Sequence, residues 1–342
     1  MPVGAHSMVD SSALVHNLPA LRAALARDGY LFLPALIPRN LVLDGMQKVM
    51  TAVGDAVIPG VRGSELMLRP GATGNEDSDA GIVTSHKADQ LMADAAVRRV
   101  IGSDQIVGVF EQLFEGRSVA AYDHKWFRCV TPGMRSSLHM DSIHFGRSSP
   151  GGSLDSDPHT LWFPWTDLPL DVGGLLLLEG SNRLEGFRRM RETYGQTVDS
   201  CCANLSDTVF IADEPDRLPG YDPEARWVCG REGAHSYRSG DVVIFSKFTL
   251  HGATPNTSTN GVRLSSDVRF QAADEPCDYK HTLTAGRELG LLNQSVTHMA
   301  AMHARFDRVK GSFANHTARR TMAEAIAEWG LRLPPRAAVA KL

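Results

Sequence analysis

The sequence predicts a mainly β protein with helical additions, an antiparallel barrel or jelly roll, and three observations lead there. After Gly116 the chain breaks into short apolar runs separated by glycine, proline and serine turns: Val119 to Val130, Thr160 to Pro164, Gly174 to Leu178, Trp227 to Val228, Asp241 to Leu250 and Val262 to Phe270. Before Gly116 the apolar residues recur at helical spacing instead. The run from Val262 to Phe270 alternates. Arg263, Ser265, Asp267 and Arg269 fall on one face and Val262, Leu264, Ser266, Val268 and Phe270 on the other, which is the period of a strand between two unlike environments.

Element by element, Leu14, Leu18, Leu21 and Leu25 predict a helix from Ser11 to Ala26, ended by Gly29-Tyr30. Tyr30 to Leu36 reads as a short buried strand containing Pro34, and a second helix begins near Pro38 and runs to Val53. Residues 60–81 hold most of the local glycine and the polar run Thr73 to Asp79, which predicts a mobile loop. Lys87 to Phe114 is the longest helical stretch, interrupted near Gly102, and Lys280 to Leu342 returns to helical composition. A single domain over 1–342 is expected: a mainly helical part (11–116), a jelly-roll core (117–273) and a helical C-terminal extension (274–342).

With 342 residues, 43% hydrophobic and 22% charged, the chain can bury a sizeable core and has the composition of a soluble globular protein. Thirty-five basic against 39 acidic residues give a net charge of −4 and no broad positive surface. A small-molecule substrate is therefore expected, with no nucleic acid and no membrane as partner. The five cysteines are an odd number without a CxxC pair, which points to a reducing compartment. Met1 to Asp10 carry no basic leader and the apolar stretches are too short for a bilayer, so a cytoplasmic protein is expected. No GxGxxG in a strand-to-helix setting and no GxSxG elbow support a nucleotide-cofactor or serine-hydrolase reading.

The chemistry concentrates in three residues. His139 and Asp141, two apart on a strand, point to the same side while Met140 faces away. His251 closes the apolar run Asp241 to Leu250, and the three together spell a 2-His-1-carboxylate site, which holds iron(II) by one face and leaves the others open. The turn-rich segment Gly252 to Gly261 is then expected to return the chain as a hairpin that places Arg263 beside His251. If the polar face of that strand looks inward, Arg263 can clamp a carboxylate through two parallel hydrogen bonds; if outward, its charges are merely solvated.

This pattern, an HxD, a distal histidine, and an arginine twelve residues on followed by Ser265, resembles the phytanoyl-CoA dioxygenase family of iron(II)/2-oxoglutarate oxygenases. The tryptophan-bearing Trp162-Phe163-Pro164-Trp165-Thr166-Asp167, the glycine-leucine run Gly173 to Arg183 and the opening Asp28 to Pro34 are similar to the family's as well, so the likeness covers roughly Asp28 to Gln271. Glu179 and Asn182 stand where the family's turn has proline and histidine. The resemblance implies a double-stranded β-helix (jelly roll, cupin-like) with N-terminal, inserted and C-terminal helices. It also implies Fe(II), with 2-oxoglutarate and O2 as cosubstrates, and a hydroxylase that turns 2-oxoglutarate into succinate. His139, Asp141 and His251 would hold the metal, Arg263 and Ser265 the far carboxylate of 2-oxoglutarate, and Trp165 would line its pocket. Asp141 separates the chain from related halogenases, which carry a small residue there. Phe145 to His159 forms a long loop able to shape a substrate pocket, with His144, Arg135 and Arg147 as substrate-facing candidates. Two rival readings are a non-catalytic jelly-roll binding protein and a cupin-type oxygenase that does not use 2-oxoglutarate.

Overall fold

A computed structural model describes residues 5–60, 64–72, 90–122, 125–144, 157–185, 188, 215, 225–275 and 283–285, with the side chains of 143–144 and 283–285 outside the description. Helix α1 (Leu18–Asp28) starts where the Asn17 side chain accepts the Ala20 N–H and ends at Gly29, whose φ of 82° is the left-handed cap that glycine adopts without a Cβ clash. Strand β1 (Tyr30–Leu33) stops before Pro34, which has no N–H for a ladder. Helix α2 (Arg39–Val53) follows the Pro38 cap. The expected break near Gly102 divides α3 (Ala95–Ile101), capped by the Asp94 carboxylate, from α4 (Asp104–Leu113).

Two further strands follow, β2 (Val57–Pro59) just before the span 60–81 expected to be a mobile loop and β3 (Leu66–Leu68) within it. The apolar triplet of β3 pairs with the longest strand among the described residues, and Ser64 donates to Asp167 at 2.8 Å, so residues 64–68 are tied down. Residues 61–63 and 73–81 lie outside the described residues, as do 145–156 of the long loop and all of 274–342 except Asp274, Glu275 and a short strand.

The core strands are β4 (Val119–Tyr122), β5 (Trp126–Val130), β6 (Ser136–His139), β7 (His159–Pro164), β8 (Leu168–Pro169), β9 (Leu175–Leu178), β10 (Trp227–Val228), β11 (His235–Tyr237), β12 (Val242–Ser246), β13 (His251–Ala253), β14 (Gly261–Ala272) and β15 (Leu283–Ala285). They build antiparallel sheets. The major one runs β1-β12-β7-β14-β3-β2, with β5 and β4 also on β14 and β15 on β4. The minor one runs β10-β9-β13-β6, and β11 pairs with β8. This is the jelly-roll architecture.

Register fixes which side chains share a face. Across the major sheet Tyr30, Phe245, Thr160 and Arg269 lie in one row, and Phe32, Val243, Trp162, Asp267 and Trp126 in the next. These rows, continued by Pro164, Ser265 and Arg128, face the minor sheet. Among their members Tyr30, Phe32, Trp162, Val243 and Phe245 belong to one apolar core together with Leu138, Met140 and Leu175 to Leu178 in and beside the minor sheet. The alternate residues, among them Leu161, Phe163, Ile244, Leu264, Val268 and Phe270, pack outward against Leu21, Val42, Val97 and Phe110 of the helices in a second core. Each such side chain stabilises the fold by roughly 1.5–3 kcal/mol on full burial. The helices thus plaster the back of the major sheet and leave its other face to the barrel interior.

Two expectations fail here together. Asp241 to Leu250 is not one strand: β12 ends at Ser246, Thr249 N–H donates back to Ser246 O at 2.8 Å, and the chain passes to the minor sheet before reaching His251. Consequently β13 and β14 belong to different sheets and form no hairpin, so Arg263 does not lie beside His251 in a ladder. The turn contains neither glycine nor proline. It is closed instead by the Ser246 hydroxyl, which accepts the Phe248 N–H, and by the Thr249 hydroxyl, which donates to Gly29 O.

Candidate active site

The site lies between the two sheets. His139 ends β6 and His251 opens β13, and the two are direct cross-strand partners in the minor sheet. Their ring centroids are 4.3 Å apart. Each Nδ1 lies 2.9 Å from the backbone carbonyl two residues earlier, Ser137 O or Thr249 O. A carbonyl can only accept, so Nδ1 carries the proton in both rings and each Nε2 keeps its lone pair. Burial pushes the His251 imidazolium pKa down, which favours the same neutral form.

Asp141, the first residue of a 3-10 turn after β6, turns its carboxylate toward this pair. Its Oδ1 lies 3.8 Å from the Nε2 of His139 and 3.8 Å from the Nε2 of His251. One ligand atom from each residue falls within 4.8 Å of the others, and all three residues are buried, so the group could hold a metal ion. Met140 between them is fully buried in the apolar cluster that also holds Leu138.

Across the barrel, β14 presents its polar row inward. Arg263 is 2% exposed, yet its Nε and one terminal nitrogen have no hydrogen-bond partner among the described residues, and neither has the Ser265 hydroxyl. Burial first, and then the neighbouring Arg128, push the Arg263 pKa down to about 10, so it stays charged at neutral pH. A buried guanidinium without a partner is costly by several kcal/mol. This is the cradle that a carboxylate would satisfy, and the donor set of two neutral imidazoles and one carboxylate suits iron(II). The residues therefore fit both groups.

Other expected site residues fall elsewhere. Trp165 does not line the barrel interior. Counting in twos along β7, Trp162 and Pro164 face in while Phe163 and Trp165 face out; the Trp165 indole packs with Phe127 and Phe163, and its Nε1 donates to Ser266 at 2.8 Å. The tryptophan that faces inward is Trp162. Arg135 is half-buried just before β6, while Arg147 and the side chain of His144 lie outside the described residues.

Several residues have roles that motif reading did not assign. Thr160 donates to Asp141 Oδ2 at 2.5 Å, and a terminal nitrogen of Arg269 lies 3.1 Å from both Asp141 oxygens. Arg128 donates to Asp267 at 2.6 Å and lies over the Trp126 ring. Ser181, within the glycine-leucine turn, accepts the Leu250 N–H at 2.8 Å and steadies the residue before His251. Arg269 and Asp267 were signalled by their place on the alternating row. Thr160 carried no signal, because only the register against β14 brings it to Asp141.

A non-haem iron oxygenase of the 2-oxoglutarate-dependent type is the class that this fold and site define. The phytanoyl-CoA dioxygenase (PhyH) family profile matches residues 25–264, and the chain belongs to that family. The chain is 24% identical over 287 residues to the 1-deoxypentalenic acid 11-beta-hydroxylase of Streptomyces arenae, covering 77% of this chain and 84% of that protein. It is 24% identical over 278 residues to the same-named enzyme of Streptomyces exfoliatus, covering 78% and 85%. Among solved structures, the nickel complex of the non-heme monooxygenase ThoJ aligns with a TM-score of 0.51 at 12% identity, over 85% of this chain and 97% of that one. That likeness supports the fold.

Proposed function

We propose that this protein hydroxylates a small molecule inside the jelly roll, with His139, Asp141 and His251 as iron ligands and Arg263 with Ser265 as the grip on the far carboxylate of 2-oxoglutarate. The observation that carries the reading is the buried, unpartnered Arg263 on the same inward face of β14 as Arg269, which touches Asp141. Iron and 2-oxoglutarate together supply the oxidising power for an unactivated C–H bond. The protein's own share is positional. The Nδ1–H bonds to Ser137 and Thr249 aim the imidazoles, Arg263 sets the cosubstrate's direction, and the apolar walls of Trp162 and Phe245 exclude water.

A small organic substrate agrees with the 1-deoxypentalenic acid hydroxylases among the relatives. Arg135, placed just before the ligand-bearing β6, is read as substrate-facing, together with His144 and Arg147. The N-terminal helices and the barrel are read as one oxygenase unit, because β1 and β3 pair directly with β12 and β14. A cytoplasmic location fits the free thiols of Cys129 and Cys229; no helix among the described residues is long and apolar enough to cross a membrane.

Anaerobic titration with iron(II) and 2-oxoglutarate should give a weak visible charge-transfer band, and oxygen should then release succinate, faster with a true substrate. Absence of both the band and succinate would remove the oxygenase reading in favour of a binding protein. A band or turnover that does not need 2-oxoglutarate would point to the cupin-type alternative.

A further inference from the structure

The metal-ligand candidates come from the minor sheet and the turn after β6, but the contacts that orient Asp141 come from the opposite sheet. Thr160 on β7 and Arg269 on β14 are direct cross-strand partners, in the same way that His139 and His251 are partners on the other side. Two ladder pairs, one per sheet, therefore converge on one carboxylate. Thr160 donates to Oδ2 at 2.5 Å, and Arg269 spans both oxygens at 3.1 Å, leaving Oδ1 as the atom that faces both histidine Nε2 atoms at 3.8 Å. Asp141 is 0% exposed and Arg269 5%, so this pairing is made in a dry interior where charge-assisted bonds are strong and geometry is held. The Arg269 Nε has no partner among the described residues, so the carboxylate is the only hydrogen-bonded anchor that the guanidinium has there.

We propose that Thr160 and Arg269 are positioning residues for Asp141, Thr160 holding Oδ2 and Arg269 bridging both oxygens, so that Oδ1 is the oxygen offered to the metal. Thr160 blocks the second oxygen, which keeps the carboxylate from closing onto the ion through both atoms and so leaves a coordination position for cosubstrate or oxygen. Arg269 balances the carboxylate charge while Asp141 waits for metal. A bound ion would then tie the two sheets together, held by the imidazoles of the minor sheet and by Asp141, which Thr160 and Arg269 of the major sheet grip.

The inference rests on the iron reading above, and the experiment separates the two. Cobalt(II) alone, added to the metal-free full chain without oxygen, reports affinity and coordination through its visible ligand-field bands. Thr160→Val, a near-isosteric change, should weaken cobalt binding about 10-fold and Arg269→Gln about 10- to 100-fold, the range that outer partners of metal ligands command. Both should alter the band positions and intensities, and Arg269→Lys should recover part of the affinity lost in Arg269→Gln. Metal should also raise the wild-type melting temperature more than that of Thr160→Val. Should Arg269→Gln fail to fold, Thr160→Val and Arg269→Lys decide the matter. Wild-type affinity and an unchanged cobalt spectrum in those two variants would overturn the positioning role while leaving the iron site standing. A wild-type chain that binds no cobalt or iron would overturn the iron reading, and this inference with it.

Discussion

Along β14, Val262, Leu264, Val268 and Phe270 point into the apolar layer beneath the helices, while Arg263, Ser265, Asp267 and Arg269, alternating with them, point across the barrel. Exposure does not tell the two rows apart, since the outer four are 0–1% exposed and the inner four 1–6%. What differs is the company each row keeps. Outer side chains meet other apolar groups and stabilise the fold by leaving water. Inner ones include buried polar atoms whose partners among the described residues are incomplete, a costly arrangement that becomes favourable when a ligand arrives. One strand therefore carries stability on one face and chemistry on the other, and substitutions should separate the two.

The largest effect is expected on the outer face. Phe270 stacks on Phe110 with centroids 4.3 Å apart, and Phe270→Ala should cost about 3–5 kcal/mol of stability by opening a cavity. Denaturant unfolding measures this, and metal affinity in the surviving folded fraction should be close to wild type; a selective loss of metal binding at full stability would contradict the division of labour. The inner face should behave in the opposite way. Arg263→Ala should weaken 2-oxoglutarate binding about 100-fold, near 3 kcal/mol, while the melting temperature holds or rises because an unpartnered buried charge is gone. Unchanged cosubstrate affinity by calorimetry would rule out the clamp.

Ser266 tests the boundary, since it is a polar residue on the outer row. Its hydroxyl accepts from the Trp165 indole, so Ser266→Ala should cost about 1–2 kcal/mol through the orphaned N–H and leave 2-oxoglutarate binding intact. A drop in cosubstrate affinity instead would return Trp165 to the pocket. The smallest effect concerns Asp167, at the edge of both layers. Burial opposes its ionisation, but Arg39, the Ser239 N–H and the Ser64 hydroxyl outweigh that and bring its pKa to about 2. The unfolded chain titrates near 3.9, so this group's contribution is present above about pH 4 and fades as pH falls toward 2. Melts of wild type and Asp167→Asn should differ at pH 5 and draw together near pH 2.5, and a gap that stays constant would show that the carboxylate charge is not the cause.

Much of the site was legible in the chain because it is local. The HxD spacing kept two ligands close in the chain, although β6 ends at His139 and Asp141 opens a 3-10 turn, and the alternation from Val262 to Phe270 is visible without knowing the topology. Gly29 marked the end of the first helix, whereas its start, expected at Ser11, lies at Leu18 behind the Asn17 cap, because the apolar spacing does not show where a side chain takes over the first free N–H groups. The run from Asp241 to Leu250 misled because an apolar stretch with no glycine or proline hides the turn at Ser246, which side-chain hydroxyls close. Trp165 misled because motif proximity says nothing about parity, and parity sends its ring outward.

The sequence by itself determined the class of the fold and the polar row of β14, which follow from composition and short-range period, and the three metal-ligand candidates, which the HxD, the distal histidine and the family resemblance single out. Only the tertiary structure decided that this row faces inward, that Arg263 reaches the site from across the barrel rather than beside His251, and that Thr160 and Arg269 hold Asp141. Those facts depend on which strands become neighbours. Strand pairing is settled by how two apolar faces, one against the helices and one against the minor sheet, can both be buried at once, a condition on the whole chain that no local spacing records.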